Sequence, residues 1–168
     1  MILLLTRDVL SHNDPDAYTV LHHLSTPGHT ASSSPHVKLR NLRIPHSHVL
    51  APPTTDTAVR LVSATFTSSA ALVGAMAVGI MRAAFEAALQ YSKTHDAGGS
   101  VVLLERQSVA DLLIEIKMRV EAGRALVWKA AHAVERGEGG EELAYAAKIW
   151  CSEAAVKCVA DAMRAVGV

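Results

Sequence analysis

Side chains with reactive chemistry are sparse in this 168-residue chain. Histidine is the most frequent candidate: there are nine, with His22 beside His23 and His46 close to His48. A zinc site would need them spaced with cysteines in a ligand pattern, and none is, so no metal is expected. Cys151 and Cys158 fall on one face of a helix two turns apart, too far to bond one another. They read as small core thiols in a reducing compartment, with the cytoplasm expected and mitochondrion and peroxisome left open. Ser69 reads as a helix serine that bonds back to its own backbone. Arg106 and Gln107 read as a solvated helix start, and Lys148 with Glu153 as a surface ion pair. Trp128 and Trp150 are expected to pack between helices.

Composition narrows the possible partners. The formal charge is zero and the pI about 7.1, so no basic field draws in nucleic acid and no acidic tail is present. Half the residues are hydrophobic, enough for a domain with a real core. The longest apolar run, Ala70 to Met81, is short of the roughly 18 to 20 residues that span a bilayer, and no membrane span is expected. The opening MILLLTRD lacks a basic n-region and a small-residue cleavage site, so it reads as a buried strand rather than a signal peptide.

The elements that must position these residues change character at Pro53. Before it, Ser, His, Pro and β-branched residues dominate, with candidate strands at Ile2 to Leu5, Tyr18 to Leu21 and His36 to Ile44. SHNDPD and STPGHTASSSPH supply turns between them. After it the period becomes helical, and three long helices are predicted over Thr55 to Thr94, Ser108 to Glu135 and Glu141 to Val166. In the second, Val109, Leu113, Ile116, Val120, Gly123, Val127, Ala130 and Val134 form one face, and Ser108 with Asp111 resembles a capping box. In the third, Ile149, Val156, Ala160, Met163 and Gly167 are predicted to face the core. DAGGS and RGEGGE offer glycines where a helix must stop, and such short links pack helices antiparallel. In SAALVGAMAVGIMRAAFEAALQYSK, Ala71, Ala75, Gly79 and Ala83 recur every four residues. They are expected to form a close-packed seam, with Arg82 marking a more polar face.

Taken together, HVKLRNLRIPHSHVLAPP, SAALVGAMAVGIMRAAFEAALQYSK, GGSVVLLERQSVADLLIEIKMRVEAGRALVWKAA and AYAAKIWCSEAAVKCVADAMRAVG resemble the acyl-CoA dehydrogenase superfamily. YSK, a GG turn, ERQSVADLL and a closing DAMRAVG are most similar to its nitroalkane oxidase branch. The resemblance implies a mainly α fold, an antiparallel helical bundle preceded by a few strands of an incomplete middle β-domain. It implies two domains: residues 1–53, a remnant of that β-domain, and 54–168, a truncated C-terminal helical domain. FAD is the implied cofactor, a nitroalkane or an acyl-CoA the implied substrate, and a homo-oligomer, a tetramer in the family, the implied assembly.

The resemblance also assigns roles. In the nitroalkane oxidase branch an aspartate removes the proton α to the nitro group, and the carbanion reduces the flavin; the acyl-CoA dehydrogenases use a glutamate on a thioester. By the family pattern this acid lies beyond Val168, or one residue before a family arginine on the first C-terminal-domain helix, where Ser69 and Ala70 stand. The chain is therefore expected to be inactive by itself. Ser69 matches a serine that supports the catalytic aspartate. Arg106 and Gln107 match contacts to the FAD diphosphate and adenine half, across a subunit boundary in many members, and Arg164, Ala165, Val166 and Gly167, in the run to Val168, match the segment meeting the adenosine end. Ala97 replaces an arginine expected at the phosphates, and TTDT at Thr54 to Thr57 departs from a Gly-rich helix entry. Three functions stay open at this point: a nitroalkane oxidase, an acyl-CoA dehydrogenase, or a non-catalytic helical interaction module.

Overall fold

The computed structural model describes all of the chain except Ser33, Pro53, Thr54 and Glu138, and the side chain of Thr55. The predicted boundary at Pro53 and the first residue of the TTDT run therefore lie outside the described residues. Two compact units are present, Met1–Val62 and Ser63–Val168.

In the first unit, β1 (Ile2–Leu3) pairs antiparallel with β4 (Val49–Ala51), and β2 (Tyr18–His22) pairs antiparallel with β3 (His36–Leu39). A short helix, α1 (Arg7–Ser11), starts at Thr6, whose hydroxyl accepts from the Val9 amide at 3.2 Å. Asn13 acts as a side-chain splint: its amide donates to the Val9 and Arg43 carbonyls at 2.8 Å, and its oxygen accepts from the Arg43 amide at 2.7 Å. Two strand expectations are corrected. The opening strand is only two residues and half-buried, with Leu4 and Leu5 exposed. The strand predicted to run to Ile44 stops at Leu39, because Asn41 takes a φ of 51°, a left-handed turn that breaks the extended ladder.

The second unit is a helical array. α2 (Thr55–Thr94) begins in the first unit and continues through it; α3 (Gln107–Arg136) and α4 (Gly140–Val166) follow. The predicted bounds hold to within one residue at each end. Contacts fix the directions. The Cys151 thiol lies 3.8 Å from the Gly123 carbonyl, Arg119 reaches Asp161, and Ala130 clusters with Ala147, so α4 runs back along α3. Gly74 faces Val127 and Ala147, while Gly123 faces Val78 and Met81, so α2 runs antiparallel to α3 and parallel to α4.

The helix faces hold three more corrections. On α2 the buried positions are Ala70, Ala71, Gly74, Ala77, Val78, Met81, Ala88 and Ser92, whereas Ala75, Gly79 and Ala83 are exposed. A four-residue step on a 3.6-residue turn advances about 40°, so the predicted seam walks off the contact face after Ala71. The close approach is at Gly74, where an added Cβ would sit 3.0 Å from Val127 Cγ2 and 3.2 Å from the Ala147 carbonyl oxygen. On α3 the predicted face is the core face, with Val127 and Val134 half-buried, but the Ser108 capping box does not form. Arg106 is the N-cap without a side-chain bond, and Asp111 accepts instead from the Gln107 amide at 2.7 Å.

On α4 the predicted face is the wrong one. Ile149, Val156 and Met163 are 64%, 73% and 50% exposed, while Ala144, Ala147, Cys151, Ala155, Cys158 and Ala162 turn inward. The helix is apolar on both sides, and the side turned to α3 is the one built of alanine and cysteine, with the Cys151 thiol 3.8 Å from the Gly123 carbonyl. Trp128 is exposed rather than packed between helices, and Trp150 is only partly covered. Lys148 and Glu153 are both exposed and make no ion pair with one another. Arg82 pairs with Glu86 at 2.7 Å on the solvent side, which matches its expected polar face. By length and composition alone, α2 from Asp56 to Thr94 is long and apolar enough to cross a membrane, a test that core helices of soluble proteins also pass.

Two ends of the helical array as candidate sites

Arg106 occupies the end of the array where α2 stops and α3 starts. After Thr94 the chain turns through His95, Asp96, Ala97 and Gly98, with Ala97 at φ 51° and Gly98 at φ 76°. The Asp96 carboxylate accepts from the Gly98 amide at 2.9 Å, and its carbonyl accepts from the Gly99 amide at 3.0 Å. The Leu103 amide closes the loop on the His95 carbonyl at 2.7 Å. Across this turn lies the Arg106 guanidinium, its Nη2 donating to the Asp96 carbonyl at 2.8 Å. Gly99 makes room for it, since a Cβ there would collide with Nη2.

One guanidinium donor is thus used to fix Arg106, which is half-buried, and the others stay available. No side chain caps α3, so the positive end of its dipole lies beside this cation. The donor set suits a dianionic or polyanionic group such as a diphosphate, and FAD carries one. Gln107 is exposed and engaged with Asp111.

The last turn of α4 lies at the same end, because α3 and α4 are antiparallel. Gly167 takes φ 91°, and its amide donates to the Met163 and Arg164 carbonyls at 3.1 and 3.3 Å, while the Val168 amide donates to Met163 at 3.1 Å. This closure fixes the terminal segment. Arg164 is exposed, Ala165 is buried in the core, and Val166 is half-buried. The structure thus gathers Arg106, Gln107, Arg164, Ala165, Val166 and Gly167 at one end, with Ala97 where the family arginine was expected.

Ser69 is not there. Its hydroxyl is exposed and donates to the Phe66 carbonyl at 3.1 Å, the local back-bond expected of a helix serine. Along α2, at 1.5 Å per residue, roughly 35 Å separates Ser69 from the turn after Thr94. Nearby, Thr67 donates to the Tyr145 hydroxyl at 3.4 Å and Ser63 to Glu141 at 3.0 Å, linking α2 to the start of α4. A groove of about 330 Å³ lies between α2 and α3, lined by Ala71, Leu72, Ala75, Arg124, Val127 and Trp128. Ala75 therefore lines an open apolar groove, not a seam.

Sequence reasoning missed a cluster on α4. Asp161 is 2% exposed, and Lys157 donates to both of its oxygens at 3.0 and 2.9 Å. Arg164 donates to it at 3.3 Å, and Arg119 of α3 lies 3.6 Å away. The i, i+4 spacing of Lys157 and Asp161 was readable as a helix pair; its burial and the cross-helix arginine were not. Burial raises both the Cys151 and Cys158 thiols above the usual thiol range. Among the described residues no group of His, Cys, Asp and Glu could hold a metal ion.

Known proteins share this fold. Residues 59–168 match the acyl-CoA dehydrogenase C-terminal domain. The nitroalkane oxidase of Podospora anserina is 51% identical over 172 residues, covering 100% of this chain and 40% of its own length. That of Fusarium oxysporum is 45% identical, covering 99% of this chain and 39% of its own length. A solved nitroalkane oxidase active-site mutant crystallised with 1-nitrooctane superposes with a TM-score of 0.91 at 44% identity, over 99% of this chain and 39% of that one. The chain thus spans about two fifths of the length of these relatives. With its three long helices matched, the chain belongs to the acyl-CoA dehydrogenase family.

Proposed function

We propose that this chain is part of a flavin-dependent nitroalkane oxidase, which converts a nitroalkane, dioxygen and water to an aldehyde or ketone, nitrite and hydrogen peroxide. Its likeness to nitroalkane oxidases in sequence and fold, from end to end, is the observation that carries this reading. Those relatives are flavoproteins. FAD, when bound, supplies the two-electron acceptor that a carbanion α to a nitro group needs.

The residues of this chain have separate tasks. Arg106, fixed over the Asp96 carbonyl, and the uncapped start of α3 would hold the diphosphate, with Arg164 toward the adenosine end. Ser69 would turn from the Phe66 carbonyl to donate to a catalytic carboxylate, keeping that acid ionised and aimed at the α proton. The carboxylate would come from outside these 168 residues, so this chain alone would turn over no nitroalkane. The separation of Ser69 from Arg106 exceeds the length of an extended flavin dinucleotide. One FAD would therefore meet Ser69 of one protomer and Arg106 of its partner, and the protein would work as a homo-oligomer.

The deciding assay uses the full polypeptide to which this chain belongs. Nitrite and peroxide release from nitroethane, with no dye reduction by an acyl-CoA, is the expected result. Dye reduction by acyl-CoA without nitrite would replace this reading with an acyl-CoA dehydrogenase. A colourless protein whose thermal midpoint is not raised by FAD would remove flavin chemistry altogether.

A further inference from the structure

We infer that Asp161 is a positioning residue: a buried carboxylate that holds Arg164 at the Arg106 end of the array. The inference rests on the proposal that Arg164 meets the adenosine side of FAD. Arg164 is a long side chain at the last turn of α4 and is 66% exposed, whereas the Asp161 side chain is 3% exposed. An unanchored arginine so exposed would lose rotamer freedom on meeting an anion, which weakens binding.

Asp161 removes much of that freedom beforehand. It is a rigid acceptor because it is held from two helices. Lys157, one turn earlier, donates to both oxygens, and Arg119 reaches across from α3. Arg119 is itself braced, with Nη2 2.9 Å from Glu115, while its buried Nη1 faces Asp161 without completing a hydrogen bond. Arg164 Nη1 donates to Asp161 Oδ1, which occupies one of five guanidinium N–H groups and leaves the rest facing outward. The backbone beneath is fixed by the Gly167 and Val168 amides. Three cations around Asp161, against its own charge and that of Glu115, leave the cluster with a net positive charge, which suits an incoming polyanion.

The test is FAD affinity measured by flavin fluorescence quenching on the deflavinated full polypeptide, with the melting of the apo form as a control. Arg164→Met is expected to weaken FAD about tenfold. Asp161→Asn, which keeps the shape and removes the charge, is expected to weaken it three- to tenfold, and the double variant no more than Arg164→Met alone. Lys117→Met, which removes an exposed lysine of α3 paired with Glu121 outside this cluster, should change affinity less than twofold.

If Asp161→Asn does not fold, because Arg119 loses its counter-charge, Asp161→Asn with Arg119→Met neutralises both sides and carries the same readout. Additive effects of Asp161→Asn and Arg164→Met, or a lowered apo midpoint with unchanged FAD affinity, would make Asp161 purely structural and overturn the inference. Full FAD affinity in Arg164→Met would instead sink the assignment of Arg164 to the flavin.

Discussion

Two glycines at opposite ends of the helical array do opposite jobs. Gly140 opens α4 beside Ser69's end, and a Cβ on it would sit 2.5 Å from the Val134 amide nitrogen and 2.6 Å from its Cα. Gly99 lies at the other end, where an added Cβ would meet the tip of the Arg106 side chain. Backbone cannot retreat from the first intrusion, but a guanidinium can swing away from the second. One glycine therefore sustains the fold, and the other sustains the placement of a charge.

The most damaging way to probe this contrast is Gly140→Ala. Overpacking against backbone should cost about 3 kcal/mol and lower the thermal midpoint by several degrees, read by calorimetry. Next comes Ser69→Ala. If Ser69 donates to an ionised acid, losing that bond costs about 1.5 to 3 kcal/mol, roughly a ten- to hundredfold fall in kcat, with the midpoint nearly unchanged because its bond within the fold is a local one to the Phe66 carbonyl. An unchanged kcat would return Ser69 to its role as an ordinary helix serine.

Gly99→Ala should be milder and of another kind. Displacing one hydrogen-bonded guanidinium costs about 0.5 to 1.5 kcal/mol, read as a few-fold weaker FAD affinity with nearly the same apo midpoint. If the apo midpoint fell as far as in Gly140→Ala, the two glycines would no longer differ in kind.

The smallest effect belongs to the buried thiols between the two ends. Burial raises Cys151 and Cys158 above the usual range near pH 8.5. The unfolded chain then loses these protons first as pH rises. Their contribution to stability is fully present below that range and declines above it. Chemical denaturation between pH 7 and 10 should show this slope, and Cys151→Ala with Cys158→Ala should flatten it.

The two ends also differ in how far they could be read from residues. Helix limits were legible because DAGGS and RGEGGE carry glycines, Gly98 and Gly137 among them, where a left-handed turn is needed and the α3 period is clean. The inward face of α4 was not, since periodicity favours the larger Ile149, Val156 and Met163 while the face that packs on α3 is the one of alanine and cysteine. The drift of the Ala71 to Ala83 stripe likewise depends on which neighbour is present. Arg106 and Arg164 were singled out through family likeness, but their fixing by the Asp96 carbonyl and by Asp161 depends on side-chain geometry. β3 ended early because Asn41 adopted a turn that alternation alone could not reveal.

The division of one flavin site between two protomers is tested most directly by complementation. Full polypeptides carrying Ser69→Ala and Arg106→Met, each impaired alone, are co-expressed and assayed for nitrite release from nitroethane. Random pairing leaves half of the pairs mixed, each with one intact site of two, so recovery to about a quarter of wild-type turnover is predicted for an interface-shared site. Activity no higher than that of the two variants assayed apart would place both residues' function within one protomer and contradict the account.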